Sequence, residues 1–213
     1  MKLVNYIIPA IAVLASTTAN ASANEAKWDG PYIGLHAGYN SMEPDLLDGT
    51  DPRWNLNSQM EGASGGVLTG YNTHSSGVVL GLEADFGLTG TDAGVNPNAE
   101  NHFVAFKAKW NGHLRARVGV PLSKTLIFAA GGLAATHLKV YDEGVGEKNH
   151  TLTGFTIGGG VEHAVSERLS VRAEYLYDNY GKKAGTVADT SENYPYTVEP
   201  KAHSLRAAVA YRF

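Results

Sequence analysis

Histidine is the residue type in this chain best suited to acid–base chemistry or to metal binding. The sequence has eight histidines and no cysteine. It lacks the spacings that commonly ligate a metal, because no His-x-His and no His-Glu-x-x-His occurs. His36, His113 and His137 lie at separate positions that we predict to face inward. We expect these three side chains to form hydrogen bonds inside the fold, and we expect no metal site and no cofactor.

Nucleophilic catalysis would need a serine beside a base that can take its proton. His203-Ser204 places these two residue types side by side. Adjacent residues of a strand point to opposite faces, so the two cannot meet without a bulge. Gly158-Gly159-Gly160 is followed neither by a helix-forming segment nor by Gly-Lys-Ser/Thr, so it is not a phosphate-binding loop. No catalytic residue is assigned, and we expect no enzyme activity.

Charged residues form the largest group of polar residues with a shared pattern. Many of them alternate with apolar residues along the chain. We predict that they share an inward face, and their chemistry there would be ion pairing or ion conduction. The set comprises Glu83, Asp85, Lys107, Lys109, Arg115, Arg117, Glu162, Arg172, Glu174, Arg206 and Arg212.

Alternation of apolar and polar residues identifies the elements that position these charges. The longest alternating segment spans 103–120, about three times the ~5–6 residues of an ordinary strand. Similar or Gly/Ala-rich segments are 32–39, 62–73, 78–88, 125–140, 151–164, 169–178 and 204–213. Glycine is abundant, at 25 of 213 residues, and small inward residues let a narrow barrel close. The chain is therefore predicted to be all-β, an eight-stranded antiparallel up-and-down transmembrane barrel.

Export is indicated by the amino terminus. Lys2 precedes an apolar run from Ile7 to Ala15 and then small residues, which is typical of a secretory signal peptide. The run is too short for a transmembrane helix, which needs ~20 residues. Cleavage fits before Ser22 or before Asn24, and we favour the second. The predicted organisation is a signal peptide at 1–23 and an outer-membrane barrel at 24–213.

Connections between the segments alternate between short and long. The short ones are 72–77, 121–124 and 165–168, and the long ones are 40–61, 89–102, 142–150 and 179–201. Outer-membrane barrels have short periplasmic turns and long external loops, so the long connections are predicted to face outward. The net charge of −4 and the lack of a basic run argue against nucleic acid as a partner.

Barrel size favours a filled interior over an open channel. Eight strands enclose a space just wide enough for side chains, and Arg–carboxylate pairs are favoured where water is scarce. We expect Glu83 to lie near Arg115, and Glu174 near Arg206.

Several strings resemble the opacity-type porin family of small outer-membrane proteins, which includes hemin-binding and surface-antigen members. They are Trp28-x-Gly-x-Tyr-x-Gly34, Gly81-Leu-Glu-Ala-Asp-Phe-Gly87, Gly158-Gly-Gly-Val-Glu162, Leu169-Ser-Val-Arg-Ala-Glu-Tyr175 and the terminal Tyr211-Arg-Phe213. The resemblance implies an eight-stranded barrel inserted by the outer-membrane assembly machinery. It also implies that the terminal aromatic strand, with Tyr211 and Phe213, is the assembly signal.

Hemin-binding relatives make haem a ligand to consider at the loops. Candidate ligands in or beside the long connections are His102, His150, Tyr141, Tyr194 and Tyr196. Expected partners are outer-membrane lipid and lipopolysaccharide, the assembly machinery, and a host surface or hemin. The favoured interpretation is a non-enzymatic structural surface protein of the cell outer membrane, which supports membrane integrity and has loops for adhesion or ligand contact. A hemin receptor and a narrow porin remain as alternatives.

Overall fold

Ten β-strand segments make up the fold. The computed structural model describes residues 27–48, 60–98, 102–142, 146–181, 183–188 and 193–213, so the predicted signal peptide lies outside the described residues. The segments are β1 (Gly30–Asp48), β2 (Met60–Ser75), β3 (Val78–Thr89), β4 (Asp92–Asn98), β5 (His102–Leu122), β6 (Thr125–Asp142), β7 (Gly146–Ala164), β8 (Leu169–Asn179), β9 (Lys183–Ala188) and β10 (Asn193–Arg212). Within these ranges no helix is long and apolar enough to cross a membrane.

The strands form one closed antiparallel sheet. Each long strand pairs with its neighbours along the chain, and β10 returns to pair with β1. Segment β4 follows β3 alongside β5, and β9 follows β8 alongside β10. The ten segments therefore act as eight barrel strands, which confirms the predicted eight-stranded up-and-down barrel.

Alternating residues along each strand separate a charged interior from an apolar exterior. Leu35 is 67% exposed and Leu82 is 65% exposed, whereas Arg115 is 1% exposed and Glu83 is 2% exposed. A protein surrounded by water would bury the leucines and expose the charges. The inverted distribution is that of a barrel whose outer surface contacts lipid.

Tight turns connect consecutive strands at one end of the barrel. Ser76 and Gly77 both have positive φ angles, of 52° and 83°, which is the conformation of a two-residue type I′ hairpin turn. Ser123 has a φ of 57° in the turn between β5 and β6. Between β7 and β8, the Ser166 hydroxyl accepts a hydrogen bond of 3.1 Å from the backbone N–H of Leu169.

Strands continue further into the predicted long connections than the sequence indicates. Segment β1 runs to Asp48, and its ladder with β10 extends to the pair Asp48 and Tyr196. The alternating pattern fades after residue 40, but backbone pairing with a partner strand needs no such pattern. The long connections predicted at 40–61 and 179–201 are therefore partly strand.

A β-bulge in β5 changes which side chains face outward. The register between β5 and β6 shifts between Ala108 and Trp110, so Lys109 is an extra residue. On the side of the bulge nearer the tight turn, Arg115 is buried. On the other side Ala108 is buried, while Lys107 and Lys109 are exposed. The prediction that both lysines face inward is wrong, because the bulge reverses the alternation.

The prediction that His137 faces inward is also wrong. On β6 the buried positions are Phe128, Ala130, Ala134 and Thr136. His137 has the opposite parity, and its ring stacks on Trp110 with centroids 6.0 Å apart and planes 6° apart. The strand is rich in Gly and Ala, so its sequence has too little polar contrast to identify the inward face.

Candidate functional site: the filled barrel interior

Ten buried charged side chains fill the interior in the part of the chain that the structure describes. Five are carboxylates and five are guanidinium groups, so their formal charges cancel. They are Glu83, Asp85, Glu162, Glu174, Asp178, Arg115, Arg117, Arg172, Arg206 and Arg212. Because burying an unpaired charge is costly, the balance of signs lets the interior close without water.

Arg115 of β5 lies at the centre of the network. Its Nη2 donates to Glu83 Oε1 at 2.6 Å and to Asp85 Oδ2 at 3.1 Å, and its Nη1 donates to Glu174 Oε1 at 2.7 Å. Glu83 and Asp85 lie on the neighbouring strand β3, and Glu174 lies on β8. One guanidinium group therefore joins strands on different sides of the barrel.

Glu83 contacts three further side chains in addition to Arg115. Its Oε2 accepts a hydrogen bond of 2.6 Å from Arg172 Nη1 and one of 2.7 Å from the Tyr32 hydroxyl. Arg117 Nη1 lies 3.5 Å from the same oxygen. Short charge-assisted hydrogen bonds of this kind are the strong ones, so this carboxylate is held firmly in the interior.

Glu162 forms a second centre nearer the tight turns. Its Oε2 accepts from Arg117 Nη2 and from Arg172 Nη2, both at 2.9 Å, and its Oε1 accepts from the Ser170 hydroxyl at 2.7 Å. Arg212 Nη2 lies 3.7 Å from Oε1. Arg117 and Arg172 therefore connect Glu162 with Glu83.

His113 lies between two carboxylates further from the turns. Its Nδ1 is 2.8 Å from Asp85 Oδ1, and its Nε2 is 3.2 Å from Asp178 Oδ2. Arg206 Nη1 donates to the same Asp85 oxygen at 2.9 Å. Asp178 is absent from the predicted set of inward charges, although its alternation with Tyr175 and Tyr177 was the signal that could have placed it there.

Two expected neighbours share a register position but have different ionic partners. Glu174 and Arg206 are paired residues of β8 and β10. Glu174 nevertheless pairs with Arg115, and Arg206 pairs with Asp85. A long arginine side chain reaches across a narrow interior, so register alone does not determine which carboxylate it meets. Glu83 and Arg115, in contrast, are both register partners and an ion pair.

Apolar layers border the charged network on both sides. The layer at the turn end contains Trp28, Val79, Leu126, Phe128, Ala130 and Ala164. The layer at the other end contains Met42, Met60, Ala134, Leu152, Tyr180 and Ala202. A cavity of about 10 Å³ borders Met42, Asn111 and Asp178, which is about the space that one water molecule requires.

Arginine side chains also stack on rings at the turn end. The Arg117 guanidinium carbon lies 4.3 Å from the centroid of the Phe128 ring, and that of Arg212 lies 4.8 Å from Trp28. Cation–π contacts of this length are attractive, most of all when desolvated. The charged network is therefore joined directly to the apolar layer beneath it.

The other chemical candidates do not come together. Ser204 is buried inside, whereas His203 lies on the outer face with its Nδ1 2.6 Å from the Tyr175 hydroxyl. His36 is buried, and neither of its ring nitrogens has a hydrogen-bond partner among the residues that the structure describes. Among the described residues, no group of three His, Asp or Glu side chains is arranged to hold a metal ion.

The side chains of the haem candidates lie outside the described part of the structure, but backbone pairing places their positions. His150 pairs with Leu138 between β7 and β6, and Tyr141 of β6 pairs with Glu147. Tyr194 and Tyr196 pair with β9 instead. His102 begins β5. The candidates thus fall into two groups on strands that are not adjacent, and haem binding stays a prediction.

The predicted assembly signal lies at the turn end of the barrel. Tyr211 and Phe213 point outward, with ring centroids 5.3 Å apart in an edge-on arrangement. The Tyr211 hydroxyl accepts a hydrogen bond of 3.1 Å from Arg168 Nη1. Their role in assembly stays a prediction.

Comparison with known proteins identifies relatives along nearly the whole chain. The family model of the outer membrane protein beta-barrel domain matches residues 10–213. A 22 kDa outer membrane protein of Rhizobium leguminosarum bv. viciae is 33% identical over 156 residues, which cover 73% of this chain and 66% of that protein. A 31 kDa outer-membrane immunogenic protein of Brucella melitensis biotype 1 is 30% identical, covering 93% of this chain and 89% of that protein.

A solved structure has a similar fold. Neisserial surface protein A superposes with a TM-score of 0.51 over 86% of this chain and 97% of that chain, at 15% sequence identity. At this identity the similarity concerns the fold alone.

Proposed function

The chain belongs to the outer membrane protein beta-barrel domain family, and from this premise we propose that it is a closed, non-conducting structural protein of the outer membrane. Its strands continue beyond the lipid and present a surface outside the cell. The membrane location and the barrel are properties of the family. The absence of conduction and the surface role are the proposal.

The filled interior is the observation that carries the proposal. An ion moving through the barrel would have to displace Arg115, which contacts three carboxylates, and pass both apolar layers. Breaking a buried ion pair costs several kcal/mol because it leaves an uncompensated charge. This barrier supports a structural barrel rather than a narrow porin.

Strand length supports the surface role. The outward residues of β5 are apolar from Leu122 up to Trp110, and Lys109 and Lys107 follow. An apolar band of about 25 Å needs roughly 9–11 tilted residues per strand. Since β5 begins at His102, its residues 102–109 extend beyond the band. The Brucella relative is named for its immunogenicity, which is in keeping with an exposed surface.

Conductance and hemin titration on one refolded preparation test the proposal against both alternatives. We expect no regular single-channel steps in planar bilayers under conditions where an open porin, used as a control, conducts. We also expect no saturable change in the hemin absorption spectrum. Regular conductance steps would favour the narrow porin, and saturable hemin binding would favour the receptor, so either result overturns the proposal.

A further inference from the structure

A small polar cavity lies at the end of the charged network away from the tight turns. Its volume is about 10 Å³, and on one side it borders Met42, Tyr180 and Ala202 of the apolar layer. Oxygen-bearing side chains from six strands form most of the remaining wall, among them Asn40, Thr89, Asn111, Thr136, Asp178 and Ser204. We call this space the oxygen cavity.

Two oxygen atoms of residues in this wall have no hydrogen-bond donor among the described residues. They are Asn111 Oδ1 and Asp178 Oδ1. Asn111 is 7% exposed and Asp178 is 1% exposed, so bulk water does not satisfy them. A buried acceptor without a partner destabilises the fold. These two oxygens therefore indicate a ligand that a list of protein contacts does not contain.

Asp178 also differs from the other buried carboxylates in its charge partners. Each of the other four has an arginine nitrogen 2.6 to 2.9 Å away. In the described part of the chain, Asp178 contacts no arginine, and its charged contact is His113 Nε2 at 3.2 Å. His113 supplies at most one positive charge, and it lies closer to Asp85, at 2.8 Å. The interior is balanced in total, but negative charge is in excess around Asp178.

The hydroxyl groups of the wall can present lone pairs to a ligand. The Thr136 hydroxyl donates its proton to the Trp110 carbonyl at 3.0 Å, and the Tyr180 hydroxyl donates to Asp178 Oδ2 at 3.5 Å. A hydroxyl group has one proton and two lone pairs, so accepting capacity remains. Among the described residues that line the cavity, none is Arg, Lys or His. Such a wall suits a cation and disfavours an anion.

The size and charge of the cavity restrict the kind of cation. A volume of about 10 Å³ admits one particle of about the size of a water molecule. A single carboxylate lines it, whereas sites for divalent cations depend on a larger ligand charge. Alkali-metal ions that have lost their water are held by neutral and charged oxygens. A single monovalent ion therefore fits the space, the oxygens and the excess charge of Asp178.

We propose that the oxygen cavity binds one alkali-metal cation, held by Asp178 Oδ1 and Asn111 Oδ1 and by neutral oxygens of the wall. A water molecule would fit the same space and could donate to both oxygens, but it would leave the charge of Asp178 uncompensated. The ion would connect strands around the barrel at the end away from the tight turns. This site goes beyond the proposed closed barrel, which does not require it.

Thermal unfolding of the refolded protein tests the site, in a zwitterionic detergent with chloride salts at one fixed ionic strength. A ligand that binds only the folded state raises the unfolding midpoint as its concentration increases. We expect replacement of tetramethylammonium by Na⁺ to raise the midpoint by about 5 °C over a hundredfold range of ion concentration. K⁺ should act in the same direction. Tetramethylammonium is larger than a water molecule and should have no such effect.

Three variants locate the effect. D178N removes the charge at constant shape and should reduce the rise to less than about 1 °C, and N111A should require on the order of tenfold more Na⁺ for the same rise. The matched control is N72A. Asn72 is also buried and its amide also lacks a hydrogen-bond partner among the described residues, but it lies near the tight turns and does not line the cavity. N72A should keep the full rise.

The inference is overturned if the midpoint is the same in Na⁺, K⁺ and tetramethylammonium, which is the result expected when the cavity holds only water. It is also overturned if D178N keeps the full rise, because the ion then binds elsewhere. If D178N fails to fold by its heat-dependent gel mobility, N111A and N72A decide, and equal responses of these two contradict the site. Conductance of the same preparations tests the closed interior separately.

Discussion

The charged interior and the rim lysines Lys107, Lys109 and Lys139 place charged residues in opposite surroundings. Inside the barrel, Arg115 is enclosed by Glu83, Asp85 and Glu174, and each charge is compensated by the protein itself. On the rim, Lys107 faces Lys139 across two strands. Charges of opposite sign in the interior hold the strands together, whereas the lysines at the rim face outward and are not enclosed by the barrel. A single bulge at Lys109 separates the two arrangements on β5.

The largest difference between these regions should be in stability. Arg115→Met leaves three buried carboxylates without their central partner, and we expect a loss of about 3–5 kcal/mol in the free energy of unfolding. Lys107→Met removes an exposed charge and should change it by less than about 0.5 kcal/mol. Urea unfolding of the refolded proteins in lipid vesicles measures both values. Equal effects would show that the interior pairs do not differ from surface charges.

A double-mutant cycle measures how strongly two side chains of the interior network interact. Glu83 and Arg115 are adjacent in register and 2.6 Å apart, so we expect a coupling free energy of about 1–3 kcal/mol from Glu83→Gln, Arg115→Met and their combination. The double variant should lose less than the sum of the single losses. The same cycle for Glu174 and Arg206, which share register but not an ion pair, should give a smaller coupling. Additive losses for Glu83 and Arg115 would contradict the network.

Deletion of Lys109 tests the boundary between the regions. Without this extra residue the alternation becomes regular, with Asn111 and Ala108 still inward and Lys107 still outward. We expect the deletion to fold and to cost about 1 kcal/mol or less. Deletion of Leu114 is the control, because it turns His113 outward, away from Asp85 and Asp178, and a one-residue slip reverses every following side chain. Similar behaviour of the two deletions on heated and unheated gels would contradict the assignment of the bulge.

Several features of the fold follow from strong local patterns in the sequence. The alternation in β1, β3, β5, β8 and β10, together with three Gly/Ala-rich segments, predicts eight strands, and counting from the tight turns predicts the Glu83–Arg115 register. Turn positions followed from short polar connections such as the one at Ser76 and Gly77. These features depend on neighbouring residues or on adjacent hairpins, so the local sequence contains enough information to predict them.

The remaining features depend on contacts that no local pattern contains. The bulge preserves the alternation of residue types in Lys107, Ala108, Lys109 and Trp110 while changing where they point. The Arg115–Glu174 pair crosses the barrel between β5 and β8, and the continuation of β1 to Asp48 depends on pairing with β10. The last two features depend on strands that are distant in the sequence, and the bulge depends on a backbone register that the residue types do not reveal.

Thiol reactivity of a cysteine placed inside the barrel tests the central claim of a filled interior most directly. The native chain has no cysteine, so Ser204→Cys, at a buried inward position, introduces the only thiol. Ser75→Cys, at the exposed end of β2, is the reference. With a small water-soluble thiol reagent, we expect Ser204→Cys to react on the order of a hundredfold more slowly than Ser75→Cys, because reaction requires local opening. Equal reaction rates in the folded proteins would show a water-filled lumen and contradict the account.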